Sequence, residues 1–95
     1  MYNSTVNIEF DPLKNAANIR KHGISFADVE AVFYDPYAMT IEDCDHKEQR
    51  FLTLGMDGFD RLLVVCYTYR DEATIRLISA RKAEPLQRKS YEEGR

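Results

Sequence analysis

Apolar positions recur at helical spacing in the first half of the chain, and they alternate or run together in the second, so the period changes near the middle. Residues 6–10, "VNIEF", read as a short strand. "DPLKNAANIRKHG" then has a helix start in Asp11, an N-cap residue with Pro12 at the first helical position, and a stop in Gly23, which tolerates a left-handed conformation. Leu13, Ala16, Ala17 and Arg20 share one face of that helix, which predicts that they turn inward with the Arg20 stem extended along the contact. "ISFADVEAVF" predicts a second helix: Ser25 stands three residues before Asp28, close to a capping box, and Ile24 and Val29 occupy the hydrophobic-staple positions. Its buried stripe is expected to be Phe26, Val29 and Phe33, and "DP" at Asp35 and Pro36 ends it.

Past that point strands dominate. "YAMTIE" alternates; "RFLTLGM" and "RLLVVCYTYR" are separated by the turn-forming "DGFD", and "ATIRLISAR" follows a short polar turn, which predicts an antiparallel meander. "LLVVCY" is apolar on both faces, so Leu62 to Tyr67 should form a central strand covered on each side. "EPLQRKSYEEGR" reads as a short helix opening at Pro85. The order strand, two helices, four strands, helix predicts an α+β fold with helices packed on an antiparallel sheet. No repeat, low-complexity tract or linker divides the chain, so residues 1–95 are expected to form one domain.

Composition agrees. A hydrophobic fraction of 44% and a charged fraction of 31% are those of a folded globular chain. At this length roughly 60 to 65% of the unfolded surface can be buried. "MYNSTVNIEF" lacks the basic start and apolar run of a secretory signal, and no segment approaches the ~20 apolar residues of a membrane span, so a cytoplasmic location is expected. Cys44, in a polar loop, and Cys66, in a strand, are read as free thiols. The net charge of −3 is unevenly spread: residues 1–49 carry −5 and residues 50–95 carry +2, so a basic surface can exist within an acidic chain and a phosphate-containing substrate is compatible with it.

Four places could carry chemistry. In "NIRKHGISF", Lys21 and His22 fall in the last turn of a helix, where the dipole favours cations, and histidine is also the commonest general acid or base. In "IRLISARKA", Arg76 and Arg81 lie on or at the end of a strand and could grip phosphate or carboxylate with two prongs. Their separation by five residues puts them on opposite faces of a regular strand, unless a bulge intervenes or Arg81 lies past the strand end. "EDCDHKEQR" offers Asp43, Asp45, His46 and Glu48, but at no established metal-ligand spacing, and reads as a solvated hairpin loop. Tyr91 could donate a proton if it shared a pocket with the arginines. No Walker loop, GxSxG, HExxH or paired CxxC occurs, and no metal or other cofactor is expected.

The joint occurrence of "KHGISF", "IRLISARKA" and a late "YEE", together with "FDPLKNAANIRKHGISFADVEAVFYDP", "RFLTLG" and "RLLVVCYTYR", resembles the BrnT family of bacterial type II toxins almost end to end. That resemblance implies a RelE-like fold and an endoribonuclease held inactive by a BrnA-type antitoxin, whose DNA-binding part contacts operator DNA. It also implies RNA cleavage without metal: a base near the ribose 2′-hydroxyl, positive charge around the phosphate and an acid for the leaving oxygen. Lys21, His22 and Tyr91 would supply proton transfer, and Arg50, Arg76 and Arg81 the charge. The alternative is a non-catalytic nucleic-acid- or protein-binding module, which would tolerate loss of His22 and Tyr91. A metal nuclease using "DCDHKE" would stop in chelator.

Overall fold

The computed structural model describes residues 6–43 and 47–95. Five strands form one sheet: β1 (Asn7–Glu9), β2 (Met39–Asp43), β3 (Arg50–Met56), β4 (Leu62–Asp71) and β5 (Thr74–Lys82). Their order across the sheet is β1-β5-β4-β3-β2. The expected meander is present in β3, β4 and β5, and β2 pairs antiparallel to β3. The expectation of a purely antiparallel sheet is corrected at one edge, where β1 runs parallel to β5 with Ile8 opposite Ile75. Short links dictate antiparallel pairing only between neighbours in sequence, and β1 and β5 are separated by most of the chain.

The middle strand is β4, and Leu62 through Tyr67 are all buried, as a run apolar on both faces requires. One face of the sheet carries Leu63, Val65, Tyr67, Ile75, Leu77 and Ala80 into the core, where they meet Ile24, Phe26, Val29 and Val32. The opposite face is only partly covered, by helix α2 (Pro85–Glu93).

Helix α1 (Pro12–His22) has the expected ends: the Asp11 carboxylate accepts from the Leu13 N–H, and Gly23 closes it at φ 73°. Its inward face is not the expected one. Leu13 is 79% exposed, Ala17 and Arg20 are exposed, and the buried residue is Asn18. The cause lies in the sheet. β1 pairs only with Thr74 to Arg76, so Ala80 lacks a strand neighbour on its outer side. The Asn18 amide takes that place, with Nδ2 donating to the Ala80 carbonyl at 2.8 Å and Oδ1 accepting from the Ala80 N–H at 3.1 Å. Nδ2 also donates to the Ile24 carbonyl at 2.8 Å. A helix laid along an open strand edge is selected by hydrogen-bonding capacity rather than by an apolar stripe.

The second expected helix is instead two 3-10 turns, Phe26–Asp28 and Glu30–Tyr34, separated at Val29. Phe26, Val29 and Val32 are all essentially inaccessible, while Phe33 is only half-buried. Burial therefore recurs every three residues, which is the period of a 3-10 helix, and not every 3.6. Ser25 caps the first turn through the Ala27 N–H, but Asp28 does not complete a capping box; its carboxylate lies 3.9 Å from Arg61. The second turn packs so closely on β3 that a Cβ at Gly55 would stand 3.0 Å from Val32 Cγ1.

Candidate functional site: the arginine face of the sheet

The face of the sheet turned away from the main core is built from the strand positions that alternate with the core residues. Register decides which side chains it holds. Cys66 stands opposite Ser79 but Tyr67 stands opposite Leu77, so Ile78 is an extra residue in β5. Leu77 and Ala80 both point into the core, although a regular strand would separate them. This bulge reverses the parity between residues 76 and 81. Arg76, opposite Thr68, and Arg81, opposite Val64, consequently share the open face. Arg50, opposite Asp43 at the start of β3, belongs to the same face, since Phe51 beside it points to the core side.

The arginines form two groups. Arg50 and Arg76 lie toward one end of the sheet, on either side of Thr68, whose hydroxyl donates to the Gln49 carbonyl at 2.6 Å. Arg81 lies four residues further along β4, about 13 Å away at a rise of ~3.3 Å per residue. In the first group the charges are already answered. Arg50 Nε is 3.2 Å from Glu48, and Glu9 takes both Arg70, at 2.8 Å, and Arg76, at 3.8 Å. Arg81 differs: its Nη1 donates at 3.2 Å to the Lys82 carbonyl and at 3.2 Å to Gln87 Oε1, both neutral acceptors. Among the described residues it has no carboxylate partner. A half-buried guanidinium held by neutral groups keeps its full attraction for an incoming anion.

Gln87 was not singled out in the sequence, although its position three residues after Glu84 is the capping-box spacing. Its Oε1 accepts from the Glu84 N–H at 2.8 Å, so the group that starts α2 also steadies Arg81.

The proton-transfer candidates are placed differently. Lys21 is exposed and His22 half-buried in the last turn of α1, and among the described residues neither makes a hydrogen bond or ion pair to the arginines. Tyr91 is buried on α2, and its hydroxyl donates to Asp35 Oδ2 at 2.6 Å. Asp35 Oδ2 also accepts from the Met56 N–H at 2.8 Å, and Oδ1 from the Tyr37 N–H at 2.9 Å. Burial, with the hydrogen bond to Asp35 and its negative charge, pushes the Tyr91 hydroxyl up to about 12. Burial acts to raise the Asp35 carboxyl, but the hydrogen bonds from Tyr91, Met56 and Tyr37 outweigh it and hold the group below its ordinary value. Nothing in the sequence marked Asp35 beyond its role in ending a helix; the partners that matter are 21 and 56 residues away.

The Tyr91–Asp35 bond fastens α2 to the loop before β2, so Tyr91→Phe should lower stability at neutral pH by about 1 to 2 kcal/mol. Asp35 titrates lower in the folded state, so its contribution is present above the unfolded value near 3.8 and is lost as the pH falls through the folded one. Tyr91 titrates higher, so its contribution is complete below its ordinary value near 10 and is lost as the pH rises toward 12. Melting curves should show the wild-type advantage over Tyr91→Phe shrinking below about pH 4; a gap unchanged at pH 3 would show that the bond does not carry it.

Of the "EDCDHKEQR" loop, Cys44, Asp45 and His46 lie outside the described residues, and Lys47 is exposed. Among the described residues no three His, Cys, Asp or Glu side chains are grouped so as to hold a metal ion. No helix among them is long and apolar enough to cross a membrane.

An open sheet face with fixed guanidinium groups suits a polyanion, and the comparisons with known proteins specify which kind. A family model described as the ribonuclease toxin, BrnT, of type II toxin-antitoxin systems matches residues 10–86. The chain belongs to the BrnT family. The matched span contains α1, β2 to β5, Lys21, His22 and the three arginines; Tyr91 lies just beyond it. The chain is also similar to the crystal structure of the Brucella abortus ribonuclease toxin BrnT, with a TM-score of 0.69 and 28% sequence identity, over 84% of this chain and 99% of that one. The comparison with curated proteins gave no match. Membership in the BrnT family makes the chain a ribonuclease toxin of a type II toxin-antitoxin system, with RNA as its substrate class and an antitoxin as its partner.

Proposed function

We propose that this chain, with a RelE-like α+β fold, is a metal-independent endoribonuclease acting in the cytoplasm. It cleaves RNA by in-line attack of the ribose 2′-hydroxyl on the adjacent phosphate, inhibits translation and growth, and is neutralised in a hetero-oligomer with a BrnA-type antitoxin that carries the contact to operator DNA. The observation that carries this reading is the β5 bulge at Ile78, which turns Arg81 to the same open face as Arg76 and Arg50; there Arg81 has only neutral partners among the described residues.

In this mechanism Arg81 grips the scissile phosphate and stabilises the charge that builds on its oxygens, while Arg50 and Arg76 hold flanking phosphates and release Glu48 and Glu9 in doing so. Proton transfer is assigned to Lys21, His22 and Tyr91 as a set. His22 suits the base, since histidine is the side chain most often found in that role. Tyr91 stays protonated throughout the physiological range and can act only as a donor, after its hydroxyl leaves Asp35.

The decisive test uses the purified protein on RNA in excess EDTA. Cleavage should persist, and the upstream fragments should end in 2′,3′-cyclic phosphate or its opened form. Activity that vanishes in EDTA and returns only with Mg²⁺ or Mn²⁺ would overturn metal independence and direct attention to the loop around residues 44–46.

A further inference from the structure

β2 is an outer strand of the sheet, so among the described residues one side of its backbone has no strand neighbour. All but its last residue are exposed, with Met39 at 43% and Ile41 at 63%. Natural sheets usually blunt such an edge with charged side chains, proline or a covering element; "MTIED" has no proline, and its two acids, Glu42 and Asp43, stand at one end, so Met39 to Ile41 are uncharged. The strand is nevertheless held firmly. Thr40 Oγ1 shares a 2.8 Å hydrogen bond with Thr53 Oγ1, which shares another of 2.8 Å with the Tyr67 hydroxyl in the core. Beside it runs a groove of about 190 Å³ with a floor of Met39, Ile41, Leu52, Leu54 and Val64 and with Gln87 on its wall. Register makes this groove continuous with the arginine face: Met39, Leu54, Val64 and Arg81 stand opposite one another in a single row across β2, β3, β4 and β5.

We propose that the groove between β2 and α2 is the docking surface for the antitoxin, which lays apolar side chains against Met39, Ile41 and Leu54 and brings a carboxylate to Arg81. This rests on the reading of the chain as a toxin with an antitoxin partner. Charge complementarity selects the occupant. The row leads from an aliphatic floor to a guanidinium with only neutral partners among the described residues, so it suits a segment pairing apolar residues with an acid, rather than RNA, whose phosphates find no cation on the floor itself. Such a segment occupies the charge reserved for the scissile phosphate. Inhibition then follows from competition at Arg81, with no change of fold.

The test combines two readouts on the purified toxin: RNA cleavage without antitoxin, and the Kd for the antitoxin encoded in the adjacent reading frame. Ile41→Asp and Met39→Asp place a charge on exposed positions of the groove and should leave the melting temperature and the cleavage rate unchanged while weakening antitoxin binding at least thirtyfold. Leu13→Asp, on the exposed face of α1, should alter neither. Arg81→Ala should weaken antitoxin binding by about tenfold to a hundredfold, as loss of one charge-assisted contact predicts. Antitoxin affinity within threefold of wild type in both groove variants would overturn the proposal. So would loss of RNA cleavage with unchanged antitoxin affinity, which would give the groove to RNA, or a dimer of the free toxin dispersed by Ile41→Asp, which would give it to a second copy. Failure of the wild type to cleave RNA would count against the ribonuclease reading alone, because the binding readout stands without it.

Discussion

Replacing Arg81 with alanine is expected to leave a folded protein that cleaves RNA at least about a hundredfold more slowly and no longer arrests growth. Removing one donor that acts on developing transition-state charge commonly costs that much in rate, and loss of a charge-assisted contact costs roughly 1.5 to 3 kcal/mol of binding besides. The fold should survive because the side chain's two acceptors, the Lys82 carbonyl and Gln87 Oε1, lie at the protein surface or retain another donor in the Glu84 N–H. Circular dichroism and melting temperature close to wild type are the necessary control, since a small domain has little stability in reserve and a misfolded toxin is harmless for an irrelevant reason. Lys47→Ala, at an exposed loop position, should change neither rate nor toxicity. A folded Arg81→Ala protein as active as wild type would move the scissile phosphate to the Arg50–Arg76 end of the face.

The largest loss of stability is expected from Asn18→Ala. It would leave the Ala80 N–H and carbonyl and the Ile24 carbonyl without their side-chain partner at a buried site, and each unmet group costs about 1 to 3 kcal/mol. Relaxation and water entry reduce the sum, so a net loss of about 2 to 4 kcal/mol is expected, equivalent to a fall of roughly 10 to 25 °C in Tm for a domain of this size. Urea unfolding measures it directly. Leu13→Ala, on the same helix but 79% exposed, should stay within about 0.5 kcal/mol of wild type. If the two variants unfold at the same urea concentration, the amide does not fasten α1 to the sheet edge. Because Lys21 and His22 ride on the last turn of α1, Asn18→Ala should also depress activity in the fraction that remains folded.

These two residues mark different degrees of legibility. Arg81 was visible as a charged residue in an apolar strand, yet its partnership with Arg76 was not, because strand parity argued against it. A bulge adds one residue without leaving a local signature in "IRLISARKA"; the competing demands of Leu77 and Ala80 for the core create it. Asn18 attracted no notice, since an asparagine inside a helix reads as a solvated position until a strand edge 62 residues away lacks a partner. The 3-10 turns were hidden for a related reason: Phe26, Val29 and Phe33 satisfy the helical period as well as Phe26, Val29 and Val32 satisfy the tighter one, and packing against Gly55 favours the latter.

Local chemistry was sufficient for whatever depends on neighbours in the chain. Asp11, Pro12 and Gly23 set the ends of α1, "DGFD" set a hairpin, and the run from Leu62 to Tyr67 set the central strand; the family was legible separately, through the resemblance that the joint motifs carry. Tertiary structure decided the rest: the parallel pairing of β1, the face α1 turns to the sheet, the bond between Tyr91 and Asp35, and the row that runs from Met39 to Arg81. Each of these satisfies a hydrogen-bonding or packing demand created by residues far apart in sequence, and such a demand exists only once the sheet has formed.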